Sequence, residues 1–196
     1  MTDTDRQTRQ RRSAADTREH ILRVAHDLFC GGGLHATGVD KVADAAQVAP
    51  TTLYRAFGSK DDLVAAYVHR ADLLNREWIE AAIRRAPGDP RSAVLAVFDG
   101  LRSHLDPATY RGCVCQRALA EYADGAPRRA AVAAKEWLHE RFAGLLRDGG
   151  AGDPGGLAGQ LMVIYEGALA SAQRLGTAEP AVQARALAEL LLDRGL

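Results

Sequence analysis

Residues 50–60 read P-T-T-L-Y-R-A-F-G-S-K. At helical spacing Leu53 and Phe57 share one face, which leaves Thr51, Thr52, Tyr54 and Arg55 pointing outward. Two hydroxyls, a phenol and a guanidinium are groups that grip phosphates and read base edges, and arginine pairs with guanine through O6 and N7. A short helix with such groups outward fits the major groove of double-stranded DNA. Lys60 would open the following helix, where a cation opposes the helix dipole unless a phosphate sits there. Thr37 precedes the helix before, where its hydroxyl can cap that helix or meet a phosphate.

The elements that hold these residues can be read outward from them. Val39, Val42, Ala43 and Ala46 recur at helical spacing and give a first short helix one apolar face. Val48 plugs the turn after it, and Pro50 suits the first position of the second helix, where its missing N–H costs nothing. Upstream, Asp16 reads as the N-cap of a leading helix with Glu19 three residues on. Ile21, Leu22, Ala25, Leu28 and Phe29 form its buried face, and Gly31-Gly32-Gly33 stops it. The glycine run follows a helix and lacks a following G-K-[ST], so it is no phosphate loop.

Downstream, Ser59 caps a long helix with Asp62 three residues later. That helix carries Leu63, Val64, Tyr67, Val68, Ala71, Leu74, Trp78, Ile79, Ala82 and Ile83 and runs to Ala86-Pro87-Gly88. A helix of this length must leave a small N-terminal unit and enter a second core. Asp89-Pro90, Pro127, Asp153-Pro154 and Glu179-Pro180 open further helices, and Cys113–Asp124 holds a shorter one. The last helix presents Val182, Ala186, Leu187, Leu190 and Leu191. The expected fold is all-α with nine helices. Its expected organisation is a basic arm at 1–13, a helix-turn-helix domain at 14–60 and a second helical domain at 61–196.

Composition bounds the function. The chain has 196 residues, 47% apolar, with a formal net charge of zero. Residues 1–60 carry a net +2 and the remainder −2, and Arg6, Arg9, Arg11 and Arg12 concentrate charge in the arm. DNA affinity must therefore come from locally placed cations, with no global basic field. No stretch of ~18 apolar residues suggests a membrane span, and the polar N-terminus is no secretory signal. Three cysteines make no disulfide framework, which points to a reducing cytoplasm.

The run V-D-K-V-A-D-A-A-Q-V-A-P-T-T-L-Y-R-A-F-G-S-K-D-D-L resembles the TetR family of transcriptional regulators, through its small helix, turn, T-L-Y-x-x-F and S-K-x-x-L. R-G-C at 111–113, A-L-A-E-Y at 118–122 and E-G-A-L-A-S-A-Q extend the similarity over nearly the whole chain. The resemblance implies a homodimeric repressor that binds a near-palindromic operator and releases it on binding a small effector. It implies that Thr37, Thr51, Thr52, Tyr54 and Lys60 touch phosphate or bases, and that Arg55 lies near the groove. It implies a C-terminal dimer interface, for which Tyr165, Ala168, Ala172, Leu187, Leu190 and Leu191 are the candidates. Two positions depart from the pattern. Gln47 stands where glycine is usual, costing ~1 kcal/mol if the backbone is left-handed. Ala49 replaces the usual serine, which removes a side-chain cap worth ~1 kcal/mol.

The inner faces of the middle helices offer Trp78, Phe98, Leu101, Cys113, Trp137, Met162 and Tyr165 as lining for an effector pocket, with His104 and Gln116 as polar contacts. Plain core packing is the competing reading of each. The expected effector is largely apolar. Cys113 and Cys115 invite a thiol sensor or, with His104, a metal site, against the ordinary role of cysteine as a small buried residue. Positions i and i+2 lie on different faces of a helix and no other cluster completes four ligands, so no metal or cofactor is expected. An enzyme is disfavoured, because there is no H-E-x-x-H, no Ser/His/Asp arrangement and no nucleotide loop. A helical carrier without a DNA role is disfavoured by the outward polar set.

Overall fold

The computed structural model describes residues 13–195. The arginine arm expected at 1–13 lies outside the described residues apart from Ser13. Among these residues there are nine α-helices and no strand. The chain divides into two compact units, residues 1–63 and 64–196.

The first unit holds α1 (Ala14–Gly32), α2 (Val39–Ala45), α3 (Pro50–Phe57) and the first turn of α4 (Lys60–Arg85). The start of α1 corrects the sequence reading. Ser13, not Asp16, is the N-cap: its hydroxyl accepts from Asp16 N at 3.0 Å, and Ser13 N donates to Asp16 Oδ2 at 3.2 Å. A serine hydroxyl with an acid three residues on closes both halves of a capping box, which moves the cap three positions upstream. Gly31 and Gly32 remain helical and Gly33, at φ 84°, is the actual stop. Ile21, Ala25, Phe29, Leu34, Val42, Ala43, Leu53 and Leu63 are fully buried and form the core.

In the second unit α4 continues to Arg85 and is followed by α5 (Pro90–His104), α6 (Val114–Glu121), α7 (Gly125–Asp148), α8 (Pro154–Leu175) and α9 (Glu179–Gly195). Asp89 and Asp153 cap α5 and α8 by accepting from Ser92 N at 2.8 Å and Gly156 N at 2.9 Å. α7 begins two residues before Pro127. Its core is built from Val94, Val97, Phe98, Leu101, Phe142, Leu146 and Leu161.

Two apolar assignments are corrected. Leu74 of α4 is 52% exposed. On α9 the inner face is Ala181, Ala184, Ala188 and Leu192, while Val182, Leu187 and Leu190 are exposed. The helix carries two apolar stripes, and the alanine stripe is the one that lets it seat closely on α5 and α8.

Candidate nucleic-acid interface and effector region

α3 owes its orientation to its inner residues. Leu53 is fully buried and Phe57 is 7% exposed, so the opposite face turns to solvent. Thr51, Tyr54 and Arg55 stand there at i, i+3 and i+4, all exposed, and Thr52 is half-buried at the edge. Pro50 occupies the first turn and Ala49, the N-cap, offers no side-chain hydrogen bond. Gln47, with φ 53°, is the one non-glycine residue in the left-handed region among those described. The turn therefore does require the conformation that favours glycine.

Two expected contact residues have hydrogen-bond partners within the chain. Thr37 is 3% exposed, and its hydroxyl donates to Gly33 O at 2.7 Å. It does not cap α2, whose N-cap is Gly38 without a side-chain bond. The hydroxyl finds a carbonyl within the α1–α2 loop, so the threonine closes that loop. Lys60 Nζ donates to His35 O and ties the same loop to the start of α4. Ser59 caps α4 by accepting from Asp62 N at 3.0 Å.

Sequence reasoning missed the braces on α1. The Arg18 guanidinium lies 4.2 Å from the Phe57 ring centroid and its Nη1 donates to Ala56 O at 2.5 Å. It holds the C-terminus of α3 by its last two residues. His20 Nε2 donates to Ala46 O at 2.9 Å, while Nδ1 faces Arg23 Nη2 at 3.3 Å. An arginine can only donate, so Nδ1 accepts and the ring carries its proton on Nε2. One flank of α1 thus holds α2 and α3. The available signal was spacing, since Arg18 precedes the buried Ile21 and Leu22 by three and four residues.

The expected pocket residues of the second unit have packing partners within the chain. Phe98, Leu101, Met162 and Tyr165 are packed core, with Phe98 stacked on Phe142 at 5.9 Å and edge-on to Tyr165 at 6.1 Å. Trp78 stacks on His104 at 4.0 Å and donates from Nε1 to Asn75 Oδ1. Burial holds the His104 imidazole below its ordinary value. Trp137 lies under the Arg76 guanidinium at 4.7 Å, and Arg76 is paired with the buried Asp72 at 2.8 Å.

Cys113 and Gln116 meet at the start of α6. Cys113 is the N-cap, Cys115 is buried, and the Gln116 amide donates to Glu166 O at 3.1 Å. Cys115 beside it, helped by Lys135 and backbone N–H groups, holds the Cys113 thiol below the ordinary thiol value. Cys113 in turn, together with burial, pushes Cys115 up. Burial raises the Tyr110 and Tyr165 phenols, and Tyr110 donates to Leu169 O at 3.1 Å. His104 is engaged with Trp78 and Gly100 O, away from the thiols.

Of the candidate dimer residues, Tyr165, Ala168 and Ala172 are buried within the chain, while Leu187 and Leu190 are exposed and Leu191 is half-buried. Ile164, Gly167, Ser171, Leu175 and Leu187 line a groove along α8 and α9. The division is physical: the buried three spend their surface on the chain's own core.

Residues 21–67 match the family model of bacterial regulatory proteins of the tetR type. Among curated proteins, the HTH-type transcriptional regulator TcmR of Streptomyces glaucescens is 29% identical over 89 residues, 45% of this chain and 38% of that protein. The HTH-type transcriptional repressor NemR of Escherichia coli is 26% identical over 110 residues, 56% of this chain and 55% of that protein. These matches span between about a third and just over half of the curated relatives' lengths. Among solved structures, a TetR-family transcriptional regulator from Streptomyces coelicolor has a TM-score of 0.84 at 29% identity, covering 92% of this chain and 96% of that one. A TetR transcriptional regulator from Chloroflexus aurantiacus shares the fold at a TM-score of 0.77 and 24% identity, covering 93% of this chain and 96% of that one. With the helix-turn-helix matched by the family model over residues 21–67 and the fold matched to a TetR-family regulator over 92% of this chain, these likenesses support a DNA-binding transcriptional regulator of the TetR family.

Proposed function

We propose that the protein is a homodimeric repressor that binds a near-palindromic operator in the cytoplasm and leaves it when a small, largely apolar effector binds the second unit. The observation that carries the DNA reading is the exposed triplet Thr51, Tyr54 and Arg55 on a helix whose opposite face is buried. Arg55 is the base reader and Tyr54 and Thr51 hold phosphates, with Thr52 at the margin. Thr37 and Lys60 serve through the loop they close. If Lys60 also meets a phosphate, it does so with a second N–H while keeping His35 O, since an ammonium has three donors.

Two copies would set their α3 helices one DNA turn apart, ~34–36 Å. The exposed stripe of Leu187 and Leu190, with Leu175 and Val163 on α8, supports a self-association surface. Effector binding would change the separation of the readers through α4, which runs from the first unit into the second. Couplings of ~1–3 kcal/mol suffice for such control. Selection of bound duplexes from a random pool, followed by footprinting, tests the reading. The expected product is a two-fold sequence protected over two adjacent major grooves. Placing that sequence in a promoter should lower transcription when the protein is present. Recovery of no common sequence would refute operator binding, and raised transcription would refute repression.

A further inference from the structure

We infer that Arg18 and His20 of α1 are positioning residues for base discrimination: they hold residues 46–57 at both ends and so set where Arg55 meets its base pair. This rests on the reading of α3 as the DNA reader, and it adds which residues outside α3 fix its register on the duplex.

The held segment has little order of its own. α3 is eight residues long, and a helix that short is marginal in isolation. Its N-cap, Ala49, lends no side chain, and Thr52 N and Leu53 N both donate to Ala49 O, at 2.8 and 3.3 Å. The turn before it passes through Gln47 at φ 53°, a conformation that a residue other than glycine keeps only where its surroundings enforce it. Leu53 and Phe57 seat the helix by its buried side. Two apolar anchors one turn apart fix its depth and leave it free to rock about the line that joins them.

Two polar ties from α1 remove that freedom. His20 Nε2 donates at 2.9 Å to the carbonyl of Ala46, which is the C-cap of α2 and the residue directly before Gln47. Arg23, with Nη2 3.3 Å from His20 Nδ1, keeps the imidazole in the tautomer that donates from Nε2. At the far end Arg18 Nη1 donates at 2.5 Å to Ala56 O, and its guanidinium stands 4.2 Å from the Phe57 ring centroid. Ala56 O is one of the last carbonyls of α3, which have no partner within the helix, and a cation there also complements the helix dipole. Ala56 follows Arg55 directly, so a shift of this carbonyl carries the Arg55 backbone with it. Pairing of a guanidinium with guanine must satisfy two parallel bonds at once and tolerates little displacement. A phosphate offers several oxygens, so the grips of Thr51 and Tyr54 tolerate more. Loss of the tie should therefore appear in discrimination before it appears in affinity for DNA as a whole.

The test uses the full chain and two readouts: amide hydrogen exchange of the free protein, and anisotropy with the selected duplex and its single-base variants at several salt concentrations. Arg18→Ala should exchange several-fold faster over residues 47–58 while α1 stays protected. It should lose about five-fold or more of discrimination at the Arg55 base pair, the lower end of what a bidentate arginine supplies. Its salt slope should stay that of the native chain, and in an Arg55→Ala background it should cost no further discrimination. Arg18→Lys keeps the charge without the flat fork that covers a ring and reaches a carbonyl, so it should restore little. His20→Phe should loosen the same segment from Gln47 onward and lower discrimination in the same sense. Ile21 is fully buried, and Ile21→Val should lower the melting temperature yet leave discrimination intact. Arg18→Ala that weakens every duplex evenly with a shallower salt slope would make Arg18 a phosphate contact and overturn the inference. So would losses additive with Arg55→Ala, an equal loss of discrimination in Ile21→Val, or unchanged exchange over 47–58. If the native chain selects no common duplex, the reader assignment fails by itself, and the exchange data still decide whether Arg18 and His20 hold the segment.

Discussion

α3 and α6 are both eight-residue helices, and neither has a side-chain N-cap. They put their chemistry in opposite places. α3 buries Leu53 and Phe57 and turns hydroxyls, a phenol and a guanidinium to solvent. α6 has Cys113 as its N-cap packed against the core, buries Cys115 and ties Gln116 to Glu166 O of α8. A short helix can therefore present its polar groups to solvent or spend them on its own chain. The difference lies in what surrounds it, because its length and capping are the same. The exposed face of α3 is open to a large partner, whereas the start of α6 is engaged with the chain's own α8 through Gln116 and Glu166 O.

The largest expected effect that separates the two regions comes from Leu53→Ala. Leu53 is fully buried, and its truncation should cost about 2–5 kcal/mol. Urea unfolding should show DNA binding lost first, while the fluorescence of Trp78 and Trp137 reports a second unit that persists. Loss of both together would mean that the two regions are one folding unit. Next in size are the reader substitutions: Arg55→Ala should remove about 1–3 kcal/mol of discrimination at one base pair, and Tyr54→Phe should weaken all duplexes evenly.

Arg18→Ala should cost about 1 kcal/mol of stability in thermal melts by freeing the C-terminus of α3. Gln47→Gly should do the reverse. Relief of the left-handed backbone, less the entropy of glycine, leaves about 0.5–1 kcal/mol of gain, seen as a higher melting temperature. The smallest effect belongs to His104. Its folded value lies below the ordinary 6.5, so over that window the unfolded chain binds a proton the folded chain does not. Stability should then fall as pH drops below about 6.5 toward the folded value, and stay flat above it. Melts of His104→Gln should lose this dependence.

The reader was legible because its signals are local. Period, Pro50 at a helix start and the outward T-T-x-Y-R set lie close together in sequence, whereas the left-handed backbone at position 47 was signalled only by the family pattern. Thr37 misled because a hydroxyl before a helix reads as a cap from spacing, whereas its acceptor is the carbonyl of Gly33. Arg18 and His20 act on residues 38 and 26 positions away, which periodicity does not address. In the second unit the same limit is wider. All nine helices were visible, yet which apolar stripe of α9 turns inward depends on how closely α5 and α8 approach it. The pairing of Lys135 with Glu166 joins α7 to α8, and nothing in either segment announces it.

The measurement that bears most directly on the DNA reading is fluorescence anisotropy with the selected duplex and its single-base variants. It is run at several salt concentrations for the native chain and Arg55→Ala. The native chain should bind the selected duplex with affinity that falls steeply with salt, and Arg55→Ala should lose about 5- to 150-fold of discrimination at one position. Its salt slope should fall by no more than about 0.9, the share of one phosphate. Native binding that ignores both sequence and salt would contradict α3 as the reader, as would a variant that discriminates every base as the native chain does.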